Sequence, residues 1–455
     1  MSESASGTAN GSASGTTSAS SRADAAVEET PRALAVKMFL AFALAYFFSA
    51  LLRAVTATLA PAFSAELGLR AADLGLLAGS YFLGFSLMQL PLGAALDRIG
   101  PKRVILALTS LAVLGCVAFA MAQDLWTLAW SRALIGVGVA AGLMAPLTTF
   151  RLRFSPQAQL RANSWMLMTG SLGMVASTLP VQWLLPLWGW RGLFWATAGC
   201  LLVAMAVMAW VVPSDRSPAR QARVAPPPQA RGTASEAAGQ GAQGRQGYGA
   251  VFTNPVFLRS APLGFVNYGG LIAVQSLWAG PWLTRVAGWD PGQAAQGLFL
   301  INLGMLLAFM FWGGVMPWVV RRGLTAASLI ALGLPLNLAA IAWIVLNPHP
   351  AGALMWALWC VSMSFVSLSQ PAVGQAFPAH LAGRGLSAFN LVIFSGVFAI
   401  QWGIGLAVDL LVGWGWSDPQ AFRGAFGMFG VCCCLAWLWF VLAPGWLARR
   451  RGSPQ

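Results

Sequence analysis

Apolar residues in this chain come in unbroken stretches of about twenty, separated by short polar or charged breaks. Twelve stretches can be drawn, at roughly 38–60, 73–96, 104–123, 126–149, 163–185, 192–213, 262–284, 294–316, 324–346, 352–376, 387–412 and 424–446. Each has the length a helix needs to cross about 30 Å of hydrocarbon. Only helices and closed barrels satisfy their backbone polar groups there. Barrel strands would alternate apolar and polar residues over about ten positions, and these stretches do not. The predicted fold is an all-α membrane protein with twelve transmembrane helices.

Two segments break the pattern. Residues 1–34 are rich in Ser, Ala, Gly and Thr and lack apolar residues to offset chain entropy, which predicts a disordered tail. The first apolar run, from Met38, is too long for a secretory signal and has no cleavage site. Residues 214–249, with Pro226-Pro227-Pro228 and many Gly, Gln and Ala, divide six stretches from six. The predicted organisation is a tail (1–34), a six-helix bundle (35–213), a linker (214–260) ending in a short interfacial segment at 249–259, a second bundle (261–446) and a basic tail (447–455).

Composition agrees. Of the residues 58% are apolar and 9% charged, against about 25% charged in soluble domains, so the solvent is lipid. The net charge of +14 raises the question of nucleic acid, and the positions of the cations answer it. Of 27 Lys and Arg, 21 fall on one side if both termini share it, four on the other (Arg70, Arg191, Arg285 and Arg423) and two within spans. This is the positive-inside pattern, which predicts cytoplasmic termini and an inner-membrane location. No nucleic-acid partner is expected. The six cysteines all lie in spans and read as packing residues. Most of the 22 Trp, among them Trp188, Trp190, Trp414 and Trp416, are expected in the interfacial belt.

Between the second and third stretches the chain reads Gly93-Ala-Ala-Leu-Asp97-Arg98-Ile-Gly100-Pro-Lys102-Arg103. The spacing G-x-x-x-D-R-x-G-x-K-R resembles the signature loop of the major facilitator superfamily, with every defining position filled. The resemblance covers roughly 35–446 and is weaker in the second half, where the equivalent loop, Gly313 to Gly323, keeps Arg321 and Arg322 but has Pro317 or Trp318 at the acidic position. It implies two parallel six-helix repeats that rock about a substrate held near midplane. It also implies that Asp97 is a latch against a helix N-terminus and an Arg of the neighbouring bundle, with Gly93 and Gly100 permitting close approach and the turn. The alternative is that the loop, with Arg98, Lys102 and Arg103, only sets orientation. The segment Arg132-Ala-Leu-Ile-Gly136-Val-Gly138-Val-Ala-Ala-Gly142 resembles the family's R-x-x-x-G-x-G pattern in helix 4. Gly138 and Gly142 form a G-x-x-x-G helix-packing motif. Arg132 is then a structural or coupling residue, or it snorkels to the interface.

Arg53 lies just past the middle of the first stretch, where an ionised side chain costs about 2.5–3.5 kcal/mol. Helix 1 lines the central cavity in the resembled family, and a helix-1 Arg at a similar place binds substrate in its organic-anion carriers. Arg53 therefore reads as an anion anchor or as a structural Arg held by carbonyls. Acids inside the stretches are nearly absent: apart from Asp73 at the outer end of the second, only Asp409 remains, towards the end of the eleventh. That weakens a proton-coupled drug antiporter, as does the incomplete helix-5 motif, with only Gly170, Gly173 and Pro180. Gln89, Gln370 and the pair Gln275 and Trp278, three apart and so on one helical face, are the remaining substrate-binding candidates. Gly280-Pro281 is a candidate hinge.

There is no phosphate-binding loop, metal motif or catalytic triad, so no enzyme activity, metal or bound cofactor is expected. The reading is a monomeric secondary transporter, a symporter, that takes up a small organic anion with H+ or Na+ gradients as the available energy source. Drug or metabolite efflux, and a non-transporting receptor or assembly factor on the same fold, are the alternatives.

Overall fold

The computed structural model describes residues 31–213, 248–347 and 349–451. Residues 1–30 of the predicted disordered tail, most of the linker and the last four residues lie outside the described residues; Arg32–Leu34, predicted as tail, already belong to the first helix. Every regular element among the described residues is helical. Ten helices are long and apolar enough to cross a membrane. Two further crossings, 156–188 and 255–286, are interrupted, which brings the described total to twelve.

The first half comprises α1 (Arg32–Leu67), α2 (Ala71–Ile99), α3 (Pro101–Met121), α4 (Leu125–Arg153), α5 (156–188) and α6 (190–211). The second comprises α7 (255–286), α8 (Pro291–Arg321), α9 (Ala326–Leu346), α10 (Ala353–Gln375), α11 (Ala379–Gly413) and α12 (Asp418–Arg451). A short helix, Tyr248–Phe252, precedes α7, so the segment predicted as interfacial divides between that helix and the first turn of α7. An even number of crossings puts both ends on one face, called terminal below; the opposite face is distal.

Local chemistry sets the boundaries. A single residue, Gly100, joins α2 to α3 at φ 95°, a backbone angle that only glycine adopts cheaply, and Pro101 occupies the first helical position, where its missing N–H costs nothing. Gly189 (φ 61°) makes the equally tight turn into α6. Asp124 caps α4 by accepting from the Thr127 N–H at 2.9 Å and the Thr127 hydroxyl at 2.6 Å, bonds that hold its carboxyl below the usual range. Asn254 caps α7 in the same way.

Two interruptions were not legible as hydrophobic pattern. In α5 the ladder breaks at Ser177–Thr178, ahead of Pro180, which has no N–H to give. The Ser177 carbonyl accepts instead from the Thr58 hydroxyl of α1 at 2.8 Å. In α7 three wide turns (Gly264–Tyr268, Val274–Trp278 and Trp282–Val286) alternate with α-helical ones, and the helix passes through Gly280-Pro281 without ending there. Such π turns concentrate at functional sites.

The outer surface is Leu, Val and Trp: Trp210 is 88% exposed and Leu332 75%. In water such a surface would aggregate; in hydrocarbon it is the ordinary one. Trp188, Trp414 and Trp416 are exposed, as a belt requires, but Trp190 is buried, its indole N–H donating to Glu66 at 2.6 Å. Trp278, Trp282, Trp356 and Trp359 are also buried, packed edge to face with Phe422, Phe426 and Phe429 in the second half's core.

Glycines fuse the first half. A Cβ on Gly136 would lie 1.9 Å from the Tyr81 carbonyl of α2, and one on Gly138 would lie 2.2 Å from the Ala112 nitrogen of α3. These are backbone atoms that cannot step aside. Gly142 instead faces Ser49 and Tyr46 of α1 with more room, so the G-x-x-x-G pair serves two different neighbours. Gly136→Val is expected to destabilise the protein by about 1–3 kcal/mol or more through overpacking. Thermal unfolding in detergent checks this by a lowered midpoint.

Candidate functional site

The two halves meet through their distal parts. Gly280 of α7 lies against Ala57 of α1, Gly75 of α2 against Gln401 of α11, and Gly405 of α11 against Ala71 of α2; at each, a Cβ would fall 2.4 Å from a carbonyl oxygen of the opposite half. Arg285 donates to the Ser64 hydroxyl at 3.3 Å. Towards midplane, Phe394 of α11 packs edge-on against Phe85 of α2 at 4.5 Å between centroids and stacks on Phe82 at 6.2 Å. Nearer the terminal face, Ala141–Arg153 of α4 packs on α1, α3 and α5 of its own half. The passage is thus closed distally.

Arg53 sits just to the terminal side of the Gly280–Ala57 crossing. It is half-buried, its Nε is sealed from solvent without a hydrogen-bond partner, and no carboxylate pairs with it among the described residues. Its guanidinium lies 5.7 Å from the Phe85 ring centroid and within electrostatic reach of the hydroxyls of Tyr81, Tyr46 and Tyr268. The chain has only four tyrosines. Three lie within electrostatic reach of this one cation, two from the first half and one, Tyr268, from the first π turn of α7 in the second; Tyr81 also shares a hydrogen bond with it. A desolvated guanidinium offers a planar fork of donors that matches a carboxylate, and phenol hydroxyls can donate or accept beside it. The sequence pointed to Arg53. It missed Tyr46 and Tyr81, although the scarcity of tyrosine was a usable signal.

Arg132 is 1% exposed, so it does not snorkel. Its Nη1 donates to the Leu52 carbonyl at 3.0 Å, one residue before Arg53. The guanidinium also lies 5.5 Å from the Tyr81 ring centroid and 5.7 Å from that of Phe119. Tyr81 in turn donates to the Ser49 carbonyl at 3.3 Å. Tyr81 therefore stands between a buried cation, Arg132, and a half-buried one, Arg53, and Arg132 holds the backbone next to Arg53.

The other polar candidates are engaged within their own halves. Gln89 donates to the Phe85 carbonyl one turn back, at 3.2 Å. Gln275 donates to Asn302 at 2.9 Å, and Gln370 to Asn390 at 2.6 Å. Trp278 is fully buried and donates to the Gln401 carbonyl at 3.1 Å. The shared face expected for Gln275 and Trp278 assumed an α-helix. Residues Val274–Trp278 form a π turn, whose wider winding moves a residue three positions on round to another side. Among the described residues none of these side chains hydrogen-bonds to Arg53, although the Val274–Trp278 turn packs on α1.

At the signature turn, the Asp97 side chain lies outside the described residues. Gly93 has open space where a side chain would be. Arg98 is exposed. Lys102 donates to the carbonyls of Ala209 (2.7 Å) and Val212 (2.5 Å), capping the C-terminus of α6, where a cation is favoured. Arg103 follows it, also exposed, on the first turn of α3. At the distal end of α11, Asp409 accepts from the backbone N–H groups of Ala71 and Ala72.

Comparison with known proteins agrees with this architecture. The model of the family described as Major Facilitator Superfamily matches residues 42–401. A gentisate transporter of Corynebacterium glutamicum is 24% identical over 62% of this chain and 62% of its own length. A gallate transporter of Pseudomonas putida is 26% identical over 67% of this chain and 65% of its own. The chain thus aligns with less than two thirds of either relative. Among solved structures, a bacterial homologue of the human lysosomal transporter Spinster, in its inward-facing and unoccupied conformation, superposes with a TM-score of 0.68 at 18% identity, over 94% of this chain and all of that one.

Proposed function

Because this chain belongs to the Major Facilitator Superfamily and is a multi-pass secondary transporter, not an enzyme, we propose that it takes up a hydroxylated aromatic acid, its carboxylate held by Arg53. The observation that carries this reading is the Arg53 guanidinium, which has no carboxylate partner among the described residues and lies beside Phe85, hydrogen-bonded to Tyr81 and within electrostatic reach of Tyr46 and Tyr268. A ligand with a carboxylate for the guanidinium, a ring for the aromatic wall and hydroxyls for the phenols completes the hydrogen bonding of that cluster. Gentisate and gallate, named for two relatives, are both ligands of this type.

The terminal face is cytoplasmic in this reading, by the distribution of Lys and Arg, and the membrane is the inner one. The described conformation is then closed on its outward side. Alternating access follows by rocking the halves about the site, with Asp97 and its turn latching the cytoplasmic face in the opposite state. The protein works as a monomer. The driving force is an H+ or Na+ gradient, and no bound cofactor takes part.

The test is uptake of radiolabelled 2,5-dihydroxybenzoate into proteoliposomes, with hydroquinone, which lacks the carboxylate, as the competitor expected to fail. Tyr81→Phe removes one hydroxyl from the cation's surroundings. It is expected to raise KM about tenfold, the scale of a hydrogen bond to a charged group, with the folded fraction unchanged. Protein-dependent uptake that hydroquinone blocks as well as the acid does would refute the carboxylate reading.

A further inference from the structure

The first amides of a helix have no partner inside it, and those of α2 show how the halves are held. The Arg70 N–H, just before the helix, donates to Asp73 within the same segment at 2.9 Å. The next two donate across the molecule: Ala71 to Asp409 Oδ1 at 3.2 Å and Ala72 to Asp409 Oδ2 at 2.9 Å. Both carboxylate oxygens of one α11 residue are thus spent on the start of a helix in the other half. The arrangement joins two charge-assisted bonds to the favourable field of a helix N-terminus.

The approach that makes this possible is built into the sequence. Gly405 and Asp409 are four apart and share a face of α11. A Cβ on Gly405 would sit 2.4 Å from the Ala71 carbonyl, so glycine at that position is what lets Asp409 reach the amides one turn further on. The Gly405 contact permits the two helices to meet; it supplies no attraction of its own. Asp409 supplies it, and only while the distal passage is shut, because α2 and α11 belong to halves that must part there for the passage to open.

We propose that Asp409 is a gating residue of the transport cycle, a distal latch whose carboxylate grips the N-terminus of α2 and is exchanged for water each time that face opens. The same two helices then carry an acid at opposite ends, Asp97 near the terminal end of α2 and Asp409 near the distal end of α11.

The test needs no substrate, so it stands or falls apart from the aromatic-acid reading. Spin labels go on Gln123→Cys and Ser417→Cys, exposed positions in distal loops of the two halves, in full-length protein with its six native cysteines replaced. Two variants remove the latch from opposite sides. Asp409→Asn removes the charge. Ala71→Pro removes one donor while leaving α2 intact, since proline is favoured at the first helical position and Arg70 (φ −80°, ψ 176°) already has the extended backbone that must precede it.

Each variant is expected to raise the ratio of long to short label separations by about tenfold or more, and the double variant to shift it no further than the larger single one. Unchanged distance distributions in folded Asp409→Asn and Ala71→Pro overturn the proposal, as does a shift with Asp409→Asn that folded Ala71→Pro does not share. If Asp409→Asn fails to fold, Ala71→Pro decides alone.

Discussion

Arg53→Ala is expected to weaken binding of a hydroxybenzoate by about 10–100-fold while leaving the protein folded. One hydrogen bond to a charged group contributes about 1.5–3 kcal/mol, and each 1.4 kcal/mol is a factor of ten in affinity. The guanidinium's own contacts are the Tyr81 hydroxyl and the Phe85 ring, and no carboxylate is left stranded among the described residues when it goes. A buried structural arginine behaves otherwise. Arg132 holds the Leu52 carbonyl and two aromatic faces, so its removal should cost stability first. Arg53→Lys keeps the charge but not the planar fork, and should fall between wild type and Arg53→Ala. Uptake kinetics of the three proteins, alongside their unfolding midpoints, check this ordering.

The second large effect concerns the glycines between the halves. Gly75→Trp and Gly405→Trp are expected to abolish transport without unfolding either half, by propping the distal passage open. At both positions even a Cβ would press to 2.4 Å on backbone of the opposite half, at Gln401 and Ala71 respectively. Overpacking of this kind costs about 1–3 kcal/mol per site, and an indole adds more. Here the strain has an escape that Gly136 lacks. Gly136 is trapped against Tyr81 in its own half, so a side chain there strains the fold; Gly75 and Gly405 face a surface that rocks away. The measurement is labelling of a cysteine at Ala57, sealed under Gly280 in the closed state, by a membrane-impermeant maleimide. It should rise from near background to near completion in both Trp variants, while hydroxybenzoate exchange across the membrane stops.

Hydrophobic run length revealed the spans, because lipid rewards one pattern only. It understated the helices: α1 runs 36 residues, from Arg32 to Leu67, well beyond the apolar stretch 38–60, since polar flanks outside hydrocarbon go on being helical. Run length also carried no trace of the break at Ser177–Thr178 or the π turns of α7, which depend on Pro180 and on local winding. The site was legible where a residue type is costly in a membrane. Arg53, Arg132 and Asp409 stood out as charges, and the structure gives each a definite neighbourhood. Polar residues that are cheap to bury did not sort themselves: Gln89, Gln275 and Gln370 are bonded within their own halves, which glutamines achieve without any ligand. Tyr46 and Tyr81 escaped notice because a phenol in an apolar run reads as core. Lys102, expected to set orientation, also closes the end of α6, a helix more than a hundred positions away in sequence.

The most direct measurement is a binding cycle on purified protein: 2,5-dihydroxybenzoate and its carboxamide, each titrated into wild type and Arg53→Ala. If the guanidinium grips the carboxylate, the acid binds wild type at least about tenfold more tightly than the amide, and that preference disappears in Arg53→Ala. A preference for the acid that survives intact without Arg53 places the anion elsewhere and contradicts the account.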